Sequence, residues 1–118
     1  MGSRVVVEPE RELELVNGAI EITIDLRVYR LAAIKKAAYR FADRFTAVLG
    51  SPENDRLPLS LRFKATVAES MAQEIARQFF QELLDQELRE QVAEETNAIR
   101  TLILAHAFSN VDLIKRGE

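Results

Sequence analysis

The sequence predicts an α+β fold, a two-layer sandwich in the order ββαββα. Two β-hairpins form a mostly antiparallel sheet, covered by a short basic helix and a long, bent C-terminal helix. Three observations carry this expectation. Two stretches alternate apolar and polar residues around turn chemistry, the stretch after Tyr29 switches to helical apolar spacing, and Val67 to Phe108 contains neither Gly nor Pro. Ile20, Ile22, Ile24, Leu59, Leu61 and Phe63 need one cover, and both amphipathic helices offer one.

In chain order, residues 1–11 are charged and interrupted by Pro9, which reads as a loose arm or an edge strand with Arg4 to Val7 its only strand-like piece. Leu13 and Leu15 then alternate with Glu12 and Glu14; beyond Asn17-Gly18, Ile20, Ile22, Ile24 and Leu26 alternate with Glu21, Thr23 and Asp25. Asn-Gly supplies the two positive-φ residues of a type I′ turn, so this is a hairpin. From Arg30 to Arg44, the spacing of Leu31, Ile34, Ala38, Phe41 and Phe45 predicts an amphipathic helix. Thr46 to Leu49 is a short strand, Gly50 to Asp55 is turn chemistry, and Leu57 to Ala65 completes a second hairpin. Pro58 lacks an amide hydrogen and is expected at the strand start or on an edge.

Thr66 and Glu69 have the spacing of a capping box ahead of the last helix. Met71, Ile75, Phe79 and Leu83, with Ala76, Phe80, Leu84, Leu88 and Val92 on a neighbouring row, mark one broad face for burial. A helix of about forty residues far exceeds the usual dozen, so a bend or break is expected. Glu94-Glu95-Thr96-Asn97 is the predicted place, because Thr96 and Asn97 compete for backbone hydrogen bonds and can restart a helix. The second piece would end at Ser109-Asn110.

A length of 118 residues predicts a single domain, 1–118, able to bury a core without metals or disulfides. Hydrophobic residues at 47% and charged residues at 30% argue against disorder. The absence of cysteine excludes disulfides, thiol catalysis and cysteine-held zinc or iron-sulfur sites in this chain, and is compatible with a reducing cytoplasm. Val5 to Val7 is too short for a signal-peptide core, and the longest apolar run, near Leu102 to Ala105, is far below the roughly 18 residues a bilayer crossing needs. A soluble, cytoplasmic protein with no membrane contact is expected. The net charge of -3 gives no overall attraction to nucleic acid, yet charge is segregated. Arg30 to Arg44 carries five cations against Asp43, whereas Glu69 to Glu95 carries eight acids against Arg77 and Arg89.

Lys36, Arg40 and Arg44, at four-residue steps, form the first candidate partner surface. The acidic helix dilutes their field, which favours a protein partner over nucleic acid. Carboxylates at helical spacing, such as Glu82 with Asp85 or Glu87 with Glu90 and Glu94, could in principle hold a divalent metal or act as an acid-base pair; a solvated acidic face explains them better. His106 is the only histidine, no G-x-S-x-G elbow exists, and the four glycines build no phosphate-cradling loop. The expectation is therefore a non-enzyme with no catalytic, cofactor-binding or metal residues. Leu102 to Phe108 is apolar on nearly every side and belongs either to the core or to an oligomer or partner surface.

The segment Leu83 to Glu90 resembles the small HxsD proteins of the His-Xaa-Ser system, which carry an LLNDYxLRE signature. Aligned on Leu88-Arg89-Glu90, the chain agrees also at Asp85 and Leu83 and departs at Glu82, Leu84 and Gln86, where the signature has Leu, Asn and Tyr. Ile34 to Phe41 and Ile99 to Ser109 look like further helices of that family, so the resemblance spans roughly Ile22 to Phe108. It implies an accessory protein encoded beside two radical SAM enzymes and a target polypeptide with His-Xaa-Ser repeats, and it brings no catalytic residues. His106-Ala107-Phe108-Ser109 has the wrong spacing for the repeat, which implies a helper rather than the modified substrate. Within the signature segment, Asp85, Arg89 and Glu90 are the candidate partner-binding residues. The implied role is binding of the radical SAM maturase, the repeat polypeptide or both; the alternative is a structural or homodimeric interaction protein without a link to peptide modification.

Overall fold

The computed structural model describes residues 13–117, with side chains for residues 13–108; the expected arm over residues 1–11 lies outside them. Six elements follow in the predicted order: β1 (Leu15–Val16), β2 (Ala19–Asp25), α1 (Leu31–Arg40), β3 (Thr46–Leu49), β4 (Arg56–Arg62) and α2 (Glu69–Gly117). The chain divides into two compact units, Met1–Glu87 and Leu88–Glu118.

In the first unit the sheet order is β1-β2-β4-β3, antiparallel throughout. Asn17 and Gly18 take φ of 53° and 78°, so the first hairpin closes through the predicted two-residue turn, with Leu15 opposite Ile20. A second such turn lies in the β3–β4 loop, where Asn54 and Asp55 have φ of 53° and 62° and Glu53 and Arg56 exchange both backbone hydrogen bonds. β2 and β3 both run against β4 and are therefore parallel to each other, joined through α1 with β4 inserted between them.

Pro58 is not on an edge. It is the third residue of β4, an interior strand, opposite Thr23 of β2. Its carbonyl accepts the Gly50 amide at 2.8 Å, so its missing N–H faces the end of β3, where a single terminal bond is forgone rather than one within the ladder. The Pro58 ring lies so close that a Cβ on residue 50 would meet its Cβ at 3.2 Å, which accounts for glycine there.

One sheet face is apolar and covered. Ile20, Ile22 and Ile24 of β2 and Leu57, Leu59 and Leu61 of β4 pack under Ala33, Ile34 and Ala37 of α1 and Ala72, Ala76, Phe79 and Leu83 of α2. Phe79, 0% exposed, meets Phe41 and Phe45 edge-on at centroid distances of 5.8 and 5.6 Å, and Phe45 reaches Phe63 at 5.5 Å. The aromatic group thus joins the end of α1, the end of β4 and α2.

Several boundaries differ from expectation. α1 stops at Arg40 with Phe41 as its C-cap; turns carry Phe41 to Phe45, whose rings remain buried although the helix has ended. α2 begins at Glu69, where the Ala68 carbonyl accepts the Ala72 amide, so Thr66 lies too early to form the capping box, and the Glu69 carboxylate instead accepts the Leu15 amide at 3.2 Å. No break occurs at Glu94 to Asn97, and the helix passes Ser109-Asn110 to reach Gly117. Thr and Asn inside a helix cost only tenths of a kcal/mol each, far less than the lost bond and clash of a proline, so they do not end it. Met71, Leu84, Leu88 and Val92 are exposed, which narrows the predicted broad apolar face to the row through Phe79.

Replacing Phe79 with Ala should destabilise the first unit by about 3–5 kcal/mol, the usual loss for emptying a fully buried aromatic site, read as a lower urea midpoint with an unchanged slope.

Candidate functional site

The two oppositely charged helices meet along a polar seam at the open end of the core. One turn past Leu83, α2 presents Gln86 and Glu87, both buried despite their polarity. The Glu87 carboxylate accepts the Arg30 amide at 2.9 Å and pairs with the Arg30 guanidinium at 3.1 Å. Arg30 precedes α1 and brings no side-chain cap of its own, so an acid from another helix sits where the α1 N-terminus favours negative charge. Glu82, one turn earlier, pairs with Arg40 at 3.0 Å and accepts a 2.6 Å hydrogen bond from the Gln86 amide. Another turn back, Gln78 accepts from Arg44 at 2.6 Å, and the Arg44 guanidinium lies 4.8 Å from the Phe41 ring centroid.

Two of the three predicted basic residues therefore serve the fold's own interior contacts. Arg40 ends α1, and Arg44, which the shortened helix leaves in the following turn, extends towards α2. Lys36 stays on the exposed side of α1 and, with Lys35, Tyr39, Arg40 and Gln86, lines a shallow depression. Asp85 is half-buried in the first unit; in the second, Arg89 is exposed and Glu90 half-buried. The sequence did not single out Glu87 as structural. Its signal was the next turn after Phe79 and Leu83: residues 86 and 87 continue that buried row whatever their polarity.

A second groove, of about 380 Å³, opens between α1 and the edge strand β3, lined by Lys35, Ala38, Tyr39, Ala42, Phe45, Thr46, Ala47 and Leu49. Tyr39 is 83% exposed on its rim.

The approach to α1 is set by Asp25 at the end of β2. Its carboxylate accepts the Arg27 amide at 2.9 Å and both ends of the Arg27 guanidinium at 3.0 and 2.8 Å, while its carbonyl accepts the Val28 and Tyr29 amides. The hydrogen bonds from the Arg27 side chain, then from its backbone, lower the Asp25 pKa to about 2.

In the second unit Leu88, Val92, Ile99, Leu102, Ile103 and Phe108 are all half or more exposed, Leu102 at 71%. Leu88, expected to pack, is 51% exposed. Among the described residues no group of three or more His, Asp or Glu is placed to hold a metal ion, and no helix is long and apolar enough to cross a membrane.

Fold and seam together define a small α+β protein with two ion-paired helices over one face of a four-stranded sheet. The chain belongs to the His-Xaa-Ser system protein HxsD family, whose model matches residues 24–114. Comparison with curated proteins and with solved structures gives no match. At two of its three departures from the signature, Glu82 and Gln86, the chain has placed residues that bond each other, so these differences act as one unit anchored on Arg40.

Glu87→Ala should cost about 2 kcal/mol by removing the buried carboxylate that bonds the Arg30 amide and guanidinium, and Glu87→Gln about half that, measured by urea unfolding. The Asp25 pKa is lower in the folded chain than its ordinary value of 3.8, so its stabilisation is full above that value and fades as pH falls towards about 2. Asp25→Asn should accordingly unfold more readily than the wild type near neutral pH, with the difference closing by about pH 2 in parallel denaturation curves. Because the pair is exposed, high salt should shrink the same difference.

Proposed function

We propose that this chain is a non-catalytic accessory protein of a His-Xaa-Ser peptide-modification system, which binds a radical SAM maturase, its repeat polypeptide substrate or both. Family membership supplies the context, and the observation that carries the binding role is the bare apolar surface of the second unit. A row of Leu88, Val92, Ile99 and Leu102 exposed to water is the pattern of a docking helix. Its mechanism is to hold partners together and raise the local concentration of the substrate. The chemistry itself belongs to the partner enzyme.

A second reading, a homo-oligomeric structural protein, draws on the same surface. Leu88, Val92, Glu95, Ile99, Leu102 and His106 fall on the three- and four-residue steps of a coiled-coil seam, apolar except at Glu95 and His106, which a second copy could cover. Co-expression with the neighbouring radical SAM enzyme and repeat polypeptide separates the two. The accessory reading expects at least one of them to co-purify with the wild type and to be lost with Leu102→Glu, whose melting temperature should stay within a few degrees because the side chain is exposed in the isolated chain. A stable homodimer that captures neither partner would overturn it in favour of the second reading.

A further inference from the structure

We infer that the outer edge of β3 and the groove beneath α1 bind an extended peptide segment bearing a carboxylate, which joins the sheet as a fifth strand. The inference rests on the accessory reading and assigns the polypeptide partner, rather than the enzyme, to this site.

The edge is set by ladder parity. In an antiparallel pair the N–H and C=O of one residue point to the same side, and successive residues alternate. Gly50 donates its amide to Pro58 in β4, so Val48 and Thr46 also face β4, and the backbone groups of Ala47 and Leu49 face outward. Among the described residues no strand lies beyond β3. Edge strands normally carry a charge or a proline that discourages pairing, whereas Thr46-Ala47-Val48-Leu49 carries neither.

The groove fits the same occupant. An added strand would send alternate side chains down beside the half-buried Ala47 and Leu49 and against Phe45. Ala38 on α1 and Ala42 in the turn that follows it leave the width that larger residues would fill. Charge selects the ligand: among the described residues Lys35 is the only charged one lining the groove, and it is shared with the adjoining depression, whose described lining includes no carboxylate. An acidic residue in the peptide can therefore reach Lys35, and Tyr39 offers an exposed ring and hydroxyl beside it. Main-chain pairing supplies affinity with little demand on sequence, while groove and lysine fix the register.

The test uses overlapping 15-residue peptides tiling the repeat polypeptide, titrated onto the full chain with amide hydrogen exchange as readout. A binding peptide should slow exchange at Ala47 and Leu49 by about tenfold or more. The double variant Ala47→Pro, Leu49→Pro removes two outward donors and no ladder bond, and should weaken that peptide by about tenfold or more. Lys35→Glu, which leaves the backbone untouched, should weaken acidic peptides by severalfold and spare their Glu→Gln or Asp→Asn versions. Unchanged affinity of the double-proline variant and of Lys35→Glu would overturn the site, as would slow exchange at Ala47 and Leu49 that appears without peptide as protein concentration rises, since a second copy would then hold the edge. Co-purification of the wild type with its partners judges the accessory reading separately, so failure at the edge with capture intact counts against this site alone.

Discussion

Burial of one row on α2, running Ala72, Ala76, Phe79, Leu83, sets the geometry of the first unit. The two alanines let the helix approach the sheet closely, and Phe79 fills the junction where α1 ends and β4 leaves the sheet. Once that row faces inward, the rotation of α2 about its axis is fixed, and the fate of each other residue in this unit follows from helical spacing. Glu82, Gln86 and Glu87 must meet α1, while Leu84 must face water. The polar seam is thus a consequence of apolar packing; the ion pairs select among ways of satisfying a position already imposed.

That ordering explains how the opposite charges of the two helices are used. Surface ion pairs contribute little, and the Arg40–Glu82 pair, with its arginine mostly exposed, belongs to that class. Glu87 differs because its carboxylate is 7% exposed and satisfies a backbone amide as well as a guanidinium. Removing that buried carboxylate takes away both bonds at once. The seam engages Arg30, Arg40 and Arg44 within the fold, while Lys35 and Tyr39 lie on the exposed side of α1.

The order ββαββα, the covered sheet and the Asn17-Gly18 hairpin were legible in the sequence because each rests on local periodicity or a turn whose φ values few residues tolerate. The family was legible at Leu83 to Glu90 despite three departures. What periodicity could not show was how far along α2 the broad apolar face stays buried: Ala76 is covered, whereas Leu84 and Leu88, further along the same row, are exposed. Pro58 misled for a related reason: the rule against interior proline concerns one amide, and the direction of that amide depends on a pairing register that the sequence alone does not display. Of the candidate residues, Arg40 and Arg44 make contacts within the fold, to Glu82 and Gln78. Glu87, occupying the unspecified position of the signature, was read as part of a solvated acidic face because a buried carboxylate and a solvated one look alike in sequence.

The two open surfaces differ in what they can recognise. A helix row such as Leu88, Val92, Ile99, Leu102 reads the shape of apolar side chains, and so suits a partner with one fixed surface such as a folded enzyme. A strand edge reads mainly backbone, which every peptide possesses, and so suits a partner presenting the same short pattern many times over. A repeat polypeptide poses that second problem: a pocket matched to one side-chain array would hold one register too tightly for others to follow, whereas main-chain pairing with a single lysine to set position allows release and rebinding. In the proposed reading the polypeptide pairs with β3 and the enzyme docks on the helix of the second unit, a division of labour that the different recognition properties of the two surfaces support.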